Sequence, residues 1–98
     1  MIASLPTQEQ VDRVARDLAP DVVRIRLNVR DDWPDHPALY FRVILSDEAS
    51  GPDRLLDVTR RVRQKLYEDL QLAELEYFPH YRYRSRSELA ELRDPAWD

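Results

Sequence analysis

The stretch VVRIRLNVR, residues Val22 to Arg30, alternates in polarity from its second residue onward. Val23, Ile25, Leu27 and Val29 fall on one side and Arg24, Arg26, Asn28 and Arg30 on the other, the period-two pattern of a strand with one buried and one solvated face. Three arginines on a single strand face sit oddly in a chain of net charge −4. Either the fold carries its acids elsewhere or the arginines face a partner.

Working outward from this strand, the segment DDWPDHP (Asp31 to Pro37) carries two prolines and three aspartates and reads as a loop. A second strand is expected over residues 38–46, where Leu39, Phe41, Val43 and Leu45 form its apolar side and Tyr40, Arg42 and Ile44 its other side. Two strands so closely joined form an antiparallel hairpin. Upstream, Thr7 and Gln10 make a capping box for a helix over 7–19, with Val11, Val14, Ala15 and Leu18 as its apolar stripe and Pro20 as its stop.

Downstream, Ser50, Pro52 and Asp53 open a longer helix over 52–70, whose expected buried stripe is Leu55, Leu56, Thr59, Val62, Leu66 and Leu70. The run YFPHYRYR places a third strand over 77–84, with Pro79 assigning it to a sheet edge. Ser85 and Glu88 then begin a short helix over 86–92, and residues 93–98 form a tail. The expected architecture is one α+β domain spanning 1–98, α-β-β-α-β with a short C-terminal helix, its mainly antiparallel three-stranded sheet covered by helices on one face.

That arrangement leaves a second sheet face bearing Arg24, Arg26, Arg30, Tyr40, Arg42, Arg82 and Arg84. These seven residues are the expected binding site. Arginine offers planar, multi-donor recognition of carboxylates or phosphates, and of the 15 basic residues only Lys65 is a lysine. A solvated sheet surface needs no partner, so composition alone does not decide between the two. With a sequence pI of about 5.1, a protein partner or a second copy of the chain is the first expectation, and nucleic acid held by the same face the alternative. The aromatic run Tyr77, Phe78, Tyr81 and Tyr83 with Trp97 supplies residue types common in interface centres, and the edge strand offers backbone groups that another chain could extend.

Other chemistries find little footing. There is no cysteine, which removes thiolate nucleophiles and cysteine zinc sites. With Gly51 as the one glycine, neither a dinucleotide fingerprint nor a phosphate-binding glycine loop can be written. Asp31, Asp32, Asp35 and His36 could ligate a divalent cation in a metal-dependent enzyme, although aspartates in loops are ordinarily turn formers. Pro52-Asp53 lacks the acidic residue two positions before Lys65 that a PD-(D/E)xK nuclease needs, since Arg63 stands there. No catalytic residue, metal or cofactor is therefore expected. The N-terminus carries no signal-peptide pattern and no run of 18 apolar residues occurs, so a cytoplasmic location without membrane insertion is expected.

The stretches ALYFRVILSDEAS, RLLDVTRRVRQKL and FPHYRYRSRSELAEL resemble small uncharacterised bacterial proteins that accompany a second, HEPN-like helical protein. The resemblance spans Val22 to Leu92. It implies a two-component, toxin–antitoxin-like unit in which this chain is the non-catalytic, antitoxin-like or accessory member, and it carries no assigned site residues.

Overall fold

The computed structural model describes residues 5–30, 38–75, 77–92 and 97. Its elements run α1 (Gln8–Asp17), β1 (Val22–Arg30), β2 (Ala38–Leu45), α2 (Leu55–Asp69), a 3-10 turn (Leu72–Glu74), β3 (Phe78–Ser85) and α3 (Arg86–Leu92). This is the expected α+β order. The loop Asp31 to Pro37, including the proposed cation ligands, lies outside the described residues, and so do residues 93–96 and 98 of the tail.

The sheet has strand order β1-β2-β3, with β1 and β2 antiparallel and β3 parallel to β2. The parallel pair refines the mainly antiparallel expectation into a mixed sheet. Its cause is the connection: one helix between two strands carries the chain back to the end where β2 began, so β3 starts alongside Ala38 and runs the same way. Pro79 sits on this edge strand, as its missing N–H requires.

The hydrophobic cluster lies between one sheet face and the first two helices. Val11, Val14 and Ala15 of α1 and Val58, Val62 and Leu66 of α2 bury against Ile25, Leu39, Phe41, Val43 and Leu45. Phe41, on the central strand, is fully buried and stacks on Tyr81 with 5.5 Å between ring centroids. Burial of Tyr81 and Tyr83 beneath this layer raises both phenol pKa values, that of Tyr83 to about 12.

Two local readings of the sequence shift. In β1 the register passes from Val22↔Leu45 to Arg24↔Ile44, so Val23 is the extra residue of a bulge. Val22 is buried at 2% exposure and Val23 is 42% exposed, the reverse of uninterrupted alternation. In α2 the buried stripe is Val58, Val62, Leu66 and Leu70, while Leu55 and Leu56 are exposed, Leu56 at 69%. The helix starts at Leu55, without a side-chain cap, rather than at the Ser50–Asp53 turn. Burial of Val58, Val62, Leu66 and Leu70 sets its rotation, and ion pairs accompany it along one flank. Arg54 and Arg61 both reach Asp21, at 2.7 and 3.0 Å, and Lys65 bridges Asp17 and Asp69, so that flank faces α1 while Leu56 points outward. The two guanidiniums hold the Asp21 carboxyl below the usual carboxylate range against the opposing effect of its burial.

The α1 and α3 caps follow the sequence. Thr7 Oγ1 accepts the Gln10 N–H while Gln10 Oε1 accepts the Thr7 N–H. Ser85 and Glu88 make the same reciprocal pair at α3. Among the described residues no helix is long and apolar enough to cross a membrane.

Candidate binding face

Beyond the bulge, strict alternation delivers a second sheet face whose residues align across the three strands. Arg24, Ile44 and Arg84 form one cross-strand row, and Arg26, Arg42 and Arg82 the next. Asn28, Tyr40 and His80 form a third, followed by Arg30, Ala38 and Phe78. Strands two apart in this sheet are separated by about 10 Å, and alternate residues along a strand by about 6.7 Å. Five guanidinium groups are thus anchored within two adjacent rows. None of the twelve residues is acidic.

All seven residues expected from the sequence, Arg24, Arg26, Arg30, Tyr40, Arg42, Arg82 and Arg84, share this face. Tyr81 and Tyr83, considered with them as contact aromatics, pack instead on the opposite side against the core. His80 and Phe78 take their place. Phe78 belongs to the aromatic run already considered, whereas His80 was missed although it has the same parity as Arg82 and Arg84 in YFPHYRYR.

Arg54, Arg61 and Lys65 form ion pairs on the helix side. Among the described residues, no carboxylate pairs with Arg24, Arg30, Arg42, Arg82 or Arg84. Among the described residues, Arg42, Arg84 and Arg30 contact neutral groups. With the Asn28 amide in the orientation that satisfies both its ends, Arg42 donates to its oxygen. Arg84 donates to the Tyr83 carbonyl at 3.1 Å and lies 5.6 Å from the Trp97 ring centroid. Arg30 of β1 sits 5.5 Å from the centre of the Tyr40 ring on the central strand, and His80 of β3, on that strand's other flank, stacks on the same ring at 4.8 Å and 13° between planes. Arg30, Tyr40 and His80 therefore form a three-layer stack across the sheet, ending at the edge strand.

Trp97 is 5% exposed, and Ile44, between Arg24 and Arg84, is also buried. The chain's own C-terminal tryptophan thus shields the Arg84 end of the face, leaving Arg24, Arg26 and Arg82 exposed and Arg42 half-buried.

The sheet edges are less available than the face. On β1, the Gln8 side-chain amide donates to the Ile25 carbonyl at 2.7 Å and accepts the Leu27 N–H at 2.9 Å, filling the place of a neighbouring strand. On β3, Pro79 has no N–H, the Tyr83 carbonyl accepts from Arg84, and the Ser85 N–H is taken by Glu88. These devices blunt both edges against pairing with another chain. The edge extension also considered from the sequence therefore meets these covering groups, whereas Arg24, Arg26 and Arg82 of the arginine face are exposed.

Among the described residues no group of three or more His, Cys, Asp or Glu converges as a metal site. Of the open clefts there, one of about 220 Å³ lies between Gln10, Arg13, Val14, Asp69 and Leu70, away from the arginine face. The chain matches no protein-family model, no curated protein and no solved structure.

Proposed function

We propose that the chain is a non-catalytic binding subunit that holds an anionic macromolecule on its arginine face, working in the cytoplasm as the accessory, antitoxin-like member of a two-component bacterial unit. One observation carries the binding reading: Arg42 and Arg82 are direct partners in the register, with no carboxylate pairing with either among the described residues. Like charges placed opposite one another weaken a sheet. A stabilising solution was within reach of the sequence, since 19 acidic residues occur elsewhere in it. The arginines are better accounted for by a counter-charge supplied from outside, with charge-assisted hydrogen bonds that a planar guanidinium makes well.

The test is affinity purification of the tagged chain from its own cells, wild type beside an Arg26→Ala/Arg42→Ala variant, with protein and nucleic acid both quantified. The expected result is a co-purifying partner reduced at least tenfold in the variant, while the variant's melting temperature stays within a few degrees of wild type. Equal recovery from both proteins would remove the face from the binding role.

A further inference from the structure

We infer that the occupant of the arginine face is a single-stranded nucleic acid, its phosphates on the Arg42–Arg82 row and one base stacked on the outer ring face of His80. This rests on the proposal that the face binds an anionic partner, and it names the partner's chemistry.

The stack points to a base. Arg30, Tyr40 and His80 lie in successive layers, and among the described residues no ring or guanidinium covers the far side of His80. Because β3 is an edge strand, a planar group can enter there as the next layer. Every nucleobase has a π face suited to that position, so such stacking tolerates any sequence. Beside it stand the phosphate donors: His80 and Arg82 are two apart on β3, as Tyr40 and Arg42 are on β2, each pair on the same side. Stacking platform and guanidinium row are one strand repeat apart, about 6.7 Å, which is the juxtaposition of base and backbone within a nucleotide strand.

A duplex does not fit, because its bases are stacked inside and cannot reach His80. An acidic protein could cap the stack only by placing an aromatic or guanidinium side chain beside its carboxylates, whereas a nucleotide strand presents a base and a phosphate together at every repeat. The net charge of −4 is not an obstacle. Charges farther than about 8 Å are largely screened at physiological ionic strength, so a docked phosphate responds to the local arginines rather than to the chain total.

The experiment is fluorescence anisotropy of the full chain with a labelled single-stranded oligonucleotide across a salt series, with an unlabelled duplex and poly-glutamate as competitors. Wild type is expected to bind the single strand with affinity that falls as salt rises. Arg42→Ala/Arg82→Ala is expected to lower the slope of log affinity against log salt by about 1.4, two phosphate contacts on a single strand. His80→Ala is expected to weaken binding about tenfold with the slope unchanged, and His80→Phe to restore it. Both sites are on the exposed face, and circular dichroism melting checks that each variant is folded. If His80→Ala binds as wild type does, or if poly-glutamate binds and the oligonucleotide does not, the inference falls while the anion-binding reading stands. If neither polymer binds at low salt, that reading falls as well.

Discussion

Arg42 and Arg82 face each other across the parallel β2–β3 pair, each flanked along its strand by an aromatic ring, Tyr40 and His80, that stacks on the other. The stack and the charge opposition act in contrary directions on the same two strands. The aromatic contact holds the edge strand to the centre, and the guanidinium pair pushes it away.

The opposition should be measurable in the free protein. Arg82→Thr removes one like charge and installs a β-branched residue, so it is expected to raise stability by a few tenths of a kcal/mol in urea denaturation. The gain should shrink in high salt. Destabilisation would mean that the Arg82 stem packs on the sheet and that its charge is not a burden.

The β1 bulge makes neighbouring valines unequal. Val22→Ala deletes methyl groups from the core and is expected to cost about 2 kcal/mol. Val23→Ala, at an exposed bulge position, should stay within about 0.5 kcal/mol. The reverse order in paired chemical denaturation would restore uninterrupted alternation and remove the bulge, leaving the arginines of β1 on the same face.

Gln8 closes the β1 edge with two hydrogen bonds made by one side chain. Gln8→Ala is expected to cost about 1–2 kcal/mol, the net worth of two such bonds. It should also raise concentration-dependent association in analytical ultracentrifugation, because the strand's backbone groups are then uncovered. A variant as stable and as monodisperse as wild type would show that the edge needs no cover.

Tyr83 predicts a specific alkaline behaviour. Its folded pKa is raised by burial to about 12, against about 10 in an unfolded chain. The neutral phenol is favoured by folding, so its contribution is fully present below about pH 10 and is lost as the pH climbs toward 12, where the unfolded state binds fewer protons. Absorbance titration at alkaline pH should show late-ionising tyrosine, and Tyr83→Phe should flatten the loss of stability over that window. Ionisation of all five tyrosines near pH 10 without unfolding would place Tyr83 in solvent.

Much of this architecture was legible because its signals are local. The Thr7–Gln10 and Ser85–Glu88 boxes, the two-residue period of both hairpin strands and the edge role of Pro79 each depend on a few neighbouring residues, and each has its structural counterpart. The seven face residues followed from parity alone. What was not legible depends on distant partners. The rotation of α2 depends on the core surface that distant strands and α1 present to it, so Leu56 and Val58 exchange roles without any change in periodicity. The bulge at Val23 leaves no trace in a sequence where Val22 and Val23 are identical. The side-chain amide of Gln8 reaching β1 joins residues 17 and 19 apart, and nothing in a helix's first turn announces it.

The most direct measurement is an amide chemical-shift map of the isotopically labelled chain titrated with inorganic polyphosphate, an anion with neither bases nor peptide groups. Shifts are expected to concentrate on Arg24 to Arg30, Tyr40 to Ile44 and His80 to Arg84, and to be lost in Arg42→Ala/Arg82→Ala. Shifts confined to α1 and α2, or unchanged in the double variant, would contradict the assignment of anion binding to this face.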